Sequence, residues 1–190
     1  MPSITQRRAD ISKIAAIHHP LRRRLMEMLG VDGPATASQL AQRSGQLVGN
    51  VSHHLKMLAK AGLIEEAEEL AKDRRERWWR SVPMSLSWSV ADMEGNTADE
   101  LVAEAAEQQN LSHHVDKVHQ WFEHRGNYSR DWVQAAFATE YWLRLTSEEL
   151  VELTEKLSDV IADFHRSVDL EDGQAREPVF VFAHAVPAKP

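Results

Sequence analysis

Residues 36–67 read TASQLAQRSGQLVGNVSHHLKMLAKAGLIEEA, and this stretch decides the fold. Thr36 stands three residues before Gln39, the spacing at which two side chains reciprocally satisfy the free amides of a helix start. A short helix over 37–44 follows, with Leu40 and Ala41 inward. Gly45 supplies a tight turn. Val48, Val51, Leu55 and Leu58 recur at helical spacing and predict a second helix from about 47 to 61 with those side chains buried. Gly62 suits its left-handed stop. The opposite face carries Gly49, Asn50, His53, Lys56 and Lys60. A recognition helix needs this division, one face packed on its partner and the other open to the major groove. Gly49 permits close approach, Asn50 can pair bidentately with adenine, and His53 can meet base edges or phosphate. Gln46 and Ser52 stand near the helix start for backbone or base contacts, while Lys56 and Lys60 can reach phosphates. The competing reading is a three-helix core whose polar face is merely solvated.

The flanks extend the pattern. Ile11, Ile14, Ala15 and Ile17 give residues 10–19 an apolar side. Pro20 fits the first turn of a further helix, in which Leu21, Leu25, Met28 and Leu29 face a core and Gly30 and Asp32-Gly33-Pro34 end the run. Residues 63–67 and 77–81 read as the strands of a hairpin, with a third extended piece over 82–90. The polar link contains Lys72, Arg74 and Arg75; with Arg77, the two arginines can enter a neighbouring minor groove or hold its phosphates.

HHPLRRRLMEML at 18–29, TASQLAQRSGQ at 36–46, NVSHHLKMLAKAGLIEEA at 50–67 and RRERWWR at 74–80 stand in the order and spacing of the ArsR-type winged helix regulators. The chain resembles that family over about residues 10–82, most specifically at SHHLKMLAKAGLI. The resemblance implies a homodimer that binds double-stranded operator DNA, commonly as a repressor released by an effector. It matches Gln46, Asn50, Ser52, His53 and Lys56 to the recognition surface, and Arg74, Arg75 and Arg77 to the wing. His54 and Leu55 match the His-Leu pair of the motif, with His54 structural at the edge of the core. The chain departs from the small metal-sensing members. It has no cysteine, and about 100 residues follow the wing, as in longer members with a separate C-terminal region.

Composition sets the remaining bounds. The formal net charge is −7, but residues 1–90 carry 14 Lys+Arg against 9 Asp+Glu, and residues 91–190 carry 8 against 20. A basic half joined to an acidic half points to a polyanionic partner for the first half alone. Without cysteine there are no disulfides and no thiolate metal sites. No apolar run approaches the roughly 20 residues of a membrane span, and the start MPSITQRRADISKIAA has no apolar signal core. A cytoplasmic location is expected. The fold class is mainly α with a small β component: a winged helix-turn-helix over 1–82, then a helical (α+β) dimerisation and possible effector region over 83–190.

That second region predicts helices over 97–124 and 129–138, a short strand at 141–145, and a helix from the Thr146–Glu149 capping box to about Val168. A loop over 169–177 and an apolar strand over 179–186 complete it. Leu111, Val115, Val118 and Phe122 form one stripe. Leu150, Leu153, Leu157, Val160, Ile161 and Phe164 form another, placed to pair with a twin across a dimer or to pack within its own subunit.

Four further readings stay open at this level. His113, Asp116, His119 and Glu123 share one helix and could contribute to a Zn²⁺ site, but a solvated helix face explains them more simply. Trp78, Trp79, Trp88, Trp121, Trp132 and Trp142 could line a pocket for a small organic effector, against the alternative of an aromatic core and dimer seam. No phosphate-binding Gly loop, Gly-flanked Ser nucleophile or HExxH helix is present, so neither catalysis nor a cofactor is expected. A winged-helix module that binds protein in place of DNA is the principal rival, and a DNA-targeted metal-dependent hydrolase a remoter one.

Overall fold

The computed structural model describes residues 7–8, 11–73, 76–82, 86–87 and 97–189. The chain divides into two compact units, Met1–Val115 and Asp116–Pro190.

In the first unit, β1 (Arg7–Arg8) pairs in parallel with β5 (Leu86–Ser87). Helix α1 (Ile11–Ile17) turns into α2 (Pro20–Val31) through His19, whose Nδ1 accepts from the Leu21 N–H at 3.1 Å. Pro20 opens α2 as expected, since its missing N–H would have had no partner there. Gly30 does not stop the helix. It continues to Val31, and the break comes at Gly33, whose φ of +79° is the left-handed conformation a glycine adopts without Cβ strain.

Strand β2 (Ala35–Thr36) leads into α3 (Ala37–Ser44). The capping box forms as predicted: the Gln39 N–H donates to Thr36 Oγ1 at 3.3 Å, and the Thr36 N–H to Gln39 Oε1 at 2.8 Å. Gly45 then takes φ +69° and turns the chain into α4 (Val48–Lys60). Behind α4, β3 (Ile64–Glu66) and β4 (Trp78–Ser81) form the antiparallel hairpin, with Ile64 opposite Ser81 and Glu66 opposite Trp79. β2 pairs with the other edge of β4, a third strand too short to show in the sequence pattern.

The core lies where these elements converge. Ile14, Leu25, Leu29, Leu40, Val51, Leu55, Leu58 and Leu63 are its largest fully buried side chains. Each contributes roughly 1.5–3 kcal/mol by leaving water. Arg22 adds a polar clamp. It is buried, its Nε donates to the Ala16 carbonyl, its Nη2 to the Ala15 carbonyl at 2.9 Å, and its Nη1 lies 3.7 Å from Met57 Sδ. One cation therefore satisfies the last carbonyls of α1 and touches α4.

Helix α5 (Thr97–His124) has the predicted length, and the unit boundary falls inside it, after Val115. Ala103 and Ala106 are buried, Arg23 Nη1 donates to Asn110 Oδ1 at 2.7 Å, and Glu27 meets His113 Nε2 at 2.8 Å.

In the second unit, a 3₁₀ turn (Arg125–Asn127) breaks α5, and α6 (Arg130–Ala135) follows, capped by Ser129 and ending three residues earlier than expected. Helix α7 (Ser147–Ser167) starts at the predicted capping box, with the Thr146 N–H donating to Glu149 Oε2 at 2.7 Å. The loop after it is tied down: Arg176 Nη1 and Nη2 donate to the two Asp172 carboxylate oxygens, each at 2.7 Å, and hold that carboxyl at about 2. Residues 141–145 and 179–186 form no strands, so the β component is confined to the first unit among the described residues. Apolar alternation marks a segment able to pair, and neither segment joins a sheet among the described residues.

Truncating Leu55 to Ala should cost about 2–5 kcal/mol in a denaturant titration of the full chain. The same truncation at Val160, exposed on α7, should cost less than about 0.5 kcal/mol at concentrations where the chain is a single copy.

Candidate nucleic-acid interface

The turn at Gly45 fixes where α4 points. The Gln46 N–H returns to the Ala41 carbonyl at 3.0 Å, closing α3, and Leu47 enters α4 with no side-chain cap. The first amides of α4 are therefore left without helical acceptors, at the end where the helix dipole favours an anion. Val51, Leu55 and Leu58 are sealed in the core, and this packing sets the rotation of the helix.

The opposite side is open. Gln46, Gly49, Asn50, His53, Lys56 and Lys60 are exposed, and Ser52 is half-buried. Asn50 Nδ2 donates to Gln46 Oε1 at 3.2 Å, which engages one of the Asn50 donor hydrogens. Val48 departs from the expectation. It is 47% exposed, because the apolar stripe runs one turn beyond the neighbours that bury it. With Leu47, 81% exposed, it adds apolar surface beside Asn50 that the periodicity did not single out.

The hairpin is less basic than its arginines imply. Residues 64–81 hold six acidic and five basic side chains. Arg77 meets Glu66 at 3.3 Å, and Arg80 meets Glu65 at 3.4 Å and Glu69 at 2.5 Å. The Glu65–Arg80 pair follows directly from the register, which sets the two opposite each other. Arg77 is thus engaged within the hairpin. Arg74 and Arg75 lie outside the described residues. Lys72 is exposed beside a turn in which its N–H donates to Glu76 Oε2 at 3.0 Å.

His54 joins the reading helix to the rest of the domain. It is buried as expected, its ring lies 4.4 Å from that of His19 and 5.5 Å from that of His53, and its Nδ1 has no hydrogen-bond partner. Burial holds its pKa below the ordinary histidine value, and the nearby His19, Arg22 and His53 push the same way.

The other candidates are spread over both units. Trp79 is buried in the first unit, and Trp78 beside it is half-buried with its indole N–H unsatisfied. Trp88 lies outside the described residues. In the second unit, the Trp121 ring lies 5.3 Å from that of Tyr128, and Trp142 is 61% exposed, donating to Glu140 Oε1 at 3.1 Å. An open depression of about 630 Å³ is lined by His124, Asn127, Tyr128, Ser129, Trp132 and Glu177, so among the described tryptophans Trp132 alone lines it. His113 is occupied by Glu27, and Asp116, His119 and Glu123 are exposed. Among the described residues, no three His, Asp or Glu side chains gather to hold a metal. No described helix is long and apolar enough to cross a membrane.

Residues 17–67, from the end of α1 to the end of β3, match the family described as a helix-turn-helix domain. The first unit carries a helix-turn-helix domain. With β3 and β4 behind it, the domain is winged. No curated protein matches the chain. Among solved structures, it is similar to a possible transcriptional regulator for arsenical resistance at 32% identity over 38% of this chain and 70% of that one, with a TM-score of 0.33. It is also similar to the YusO protein from Bacillus subtilis at 14% identity over 83% and 81%, TM-score 0.35. A MarR family transcription regulator aligns at 17% identity over 83% and 80%, TM-score 0.35. The matched domain and the open face of α4 support a DNA-binding transcription regulator.

The lowered His54 pKa has a definite sign. Below about pH 6.5 the unfolded chain takes up a proton that the folded chain still refuses. Stability should therefore fall as pH drops from 7 through 6.5 towards the folded value. Urea titrations should give a shallower slope over that range for His54→Gln; an unchanged slope would remove His54 as its source.

Proposed function

We propose that this chain is a sequence-specific DNA-binding transcription regulator of the ArsR type, working as a dimer and acting as a repressor released by an effector. The observation that carries the reading is α4 itself: one edge locked in the core, the other presenting Asn50, His53, Lys56 and Lys60 to solvent. Asn50 has the donor and acceptor that match adenine N7 and N6 in the major groove. Leu47 and Val48 beside it offer apolar contact to a thymine methyl group. Lys56 and Lys60 supply attraction to phosphate without sequence information.

The wing takes a conditional part. Arg77 and Arg80 are held by Glu65, Glu66 and Glu69 in the free protein, so their contact with phosphate requires exchanging an internal ion pair for an external one. An effector with different affinity for two dimer geometries would shift the population between them, and that difference alone sets how far it can release DNA. In this reading the chain acts by binding and carries out no catalysis. The near-neutral charge of the wing gives the rival, a module that docks on protein, its one specific support.

Competition binding on specific and random duplexes tests the reading. Asn50→Ala should lose discrimination at one base pair per half-site, at a cost of about 1–3 kcal/mol, and bind random DNA unchanged. Lys56→Ala should weaken both classes equally and lower the salt slope by about one unit per lost contact. Equal losses on both classes for Asn50→Ala, or no duplex binding by the parent chain, would contradict it.

For the wing, Glu66→Gln should free Arg77 and tighten binding to random DNA at low salt. No change would remove Arg77 from the interface.

A further inference from the structure

The second unit contains no buried residue among its described positions, although apolar side chains run through it. On α7, Leu157 is 44% exposed, Ile161 50%, Val160 66% and Phe164 71%. Segment 141–145, leading into that helix, exposes Tyr141, Trp142, Leu143 and Leu145 as well. At roughly 150–250 Å² for a whole aromatic side chain, Tyr141, Trp142 and Phe164 alone present on the order of 450 Å². The exposed aliphatic side chains bring this to the roughly 800 Å² per partner that a stable protein interface buries.

The order of residues on α7 identifies the occupant. Apart from Val160, whose counterpart is Thr154, the apolar stripe is its own mirror about Leu157: Leu153 and Ile161 stand equally far on either side, and Leu150 and Phe164 equally far beyond them. The charged ends obey the same symmetry. Glu148 and Glu149 occupy the first turn, His165 and Arg166 the last, and Glu148 is as far from Leu157 as Arg166 is, Glu149 as far as His165.

We infer that α7 pairs antiparallel with α7 of a second copy of this chain, about a two-fold axis through Leu157. In that register Leu150 meets Phe164, Leu153 meets Ile161, and Leu157 meets its twin. Glu148 faces Arg166 and Glu149 faces His165 at each end. A parallel pair would instead set the four first-turn carboxylates of two copies side by side, where like charges repel. Arg166 already bonds to Asp163 of its own helix and has donors to spare for a facing carboxylate. The inference does not rest on DNA binding, and its test contains no DNA.

Sedimentation equilibrium of the full chain is the test. The parent chain should be a dimer. Phe164→Asp should make it a monomer whose first unit keeps its unfolding transition, because Phe164 is solvent-exposed in the single chain. Glu148→Arg and Arg166→Glu should each raise the dimer Kd by about tenfold, and the two together should return it to within about threefold of the parent. A monomeric parent chain, a dimer indifferent to Phe164→Asp, or a double reversal no tighter than the weaker single one would each overturn the pairing.

Discussion

The packing of one edge of α4 governs the first unit. Val51, Leu55 and Leu58 have no exposure at all, and three side chains on one stripe of a helix leave it a single rotation. Everything on the opposite stripe is placed as a consequence. Asn50, His53 and Lys56 need no scaffolding of their own, because the core that stabilises the domain also orients them. A cavity at Leu55 therefore loosens the reading face as well as the fold. Gly45 completes the constraint, since its positive φ lets α3 and α4 meet at an angle that brings Leu40 and Ala41 against that edge.

Electrostatics is arranged around this rigid element with less finality. Arg77 and Arg80 of the hairpin pair with its own glutamates, which mutes their field in the free protein, while Lys56 and Lys60 of α4 are exposed. Exposed ion pairs of this kind are worth little individually, which makes them exchangeable. His54 sits at the opposite extreme. It is buried beside His19 and Arg22, it is held neutral by desolvation, and its protonation would put charge between α2 and the reading helix. The α1–α2 turn and the interface thus share one titratable neighbour.

Much of this was legible in the residues, where local physics decides. Thr36 with Gln39 and Thr146 with Glu149 fix two helix starts through reciprocal hydrogen bonds within four residues. Gly45 fixes a turn, and the stripe from Val51 to Leu58 fixes a face. What escaped depends on neighbours distant in sequence. Val48 fits the period but lies past the side chains that would cover it. The two residues of β2 become a strand only because β4 passes beside them. Arg22 looks like its neighbours Arg23 and Arg24, and its clamp on the end of α1 follows from the angle between two helices. Segments 141–145 and 179–186 have strand-like patterns and join no sheet among the described residues, and pattern alone supplies only half of a strand pair.

The central claim, that the outward side of α4 reads a two-fold-symmetric duplex, is tested most directly by selection of bound fragments from a random duplex pool with the full chain. The account predicts enrichment of an inverted repeat whose half-site centres lie about 10–10.5 base pairs apart, or a whole number of helical turns. A pool that stays unenriched, or one whose selected duplexes lack two-fold symmetry, would contradict it.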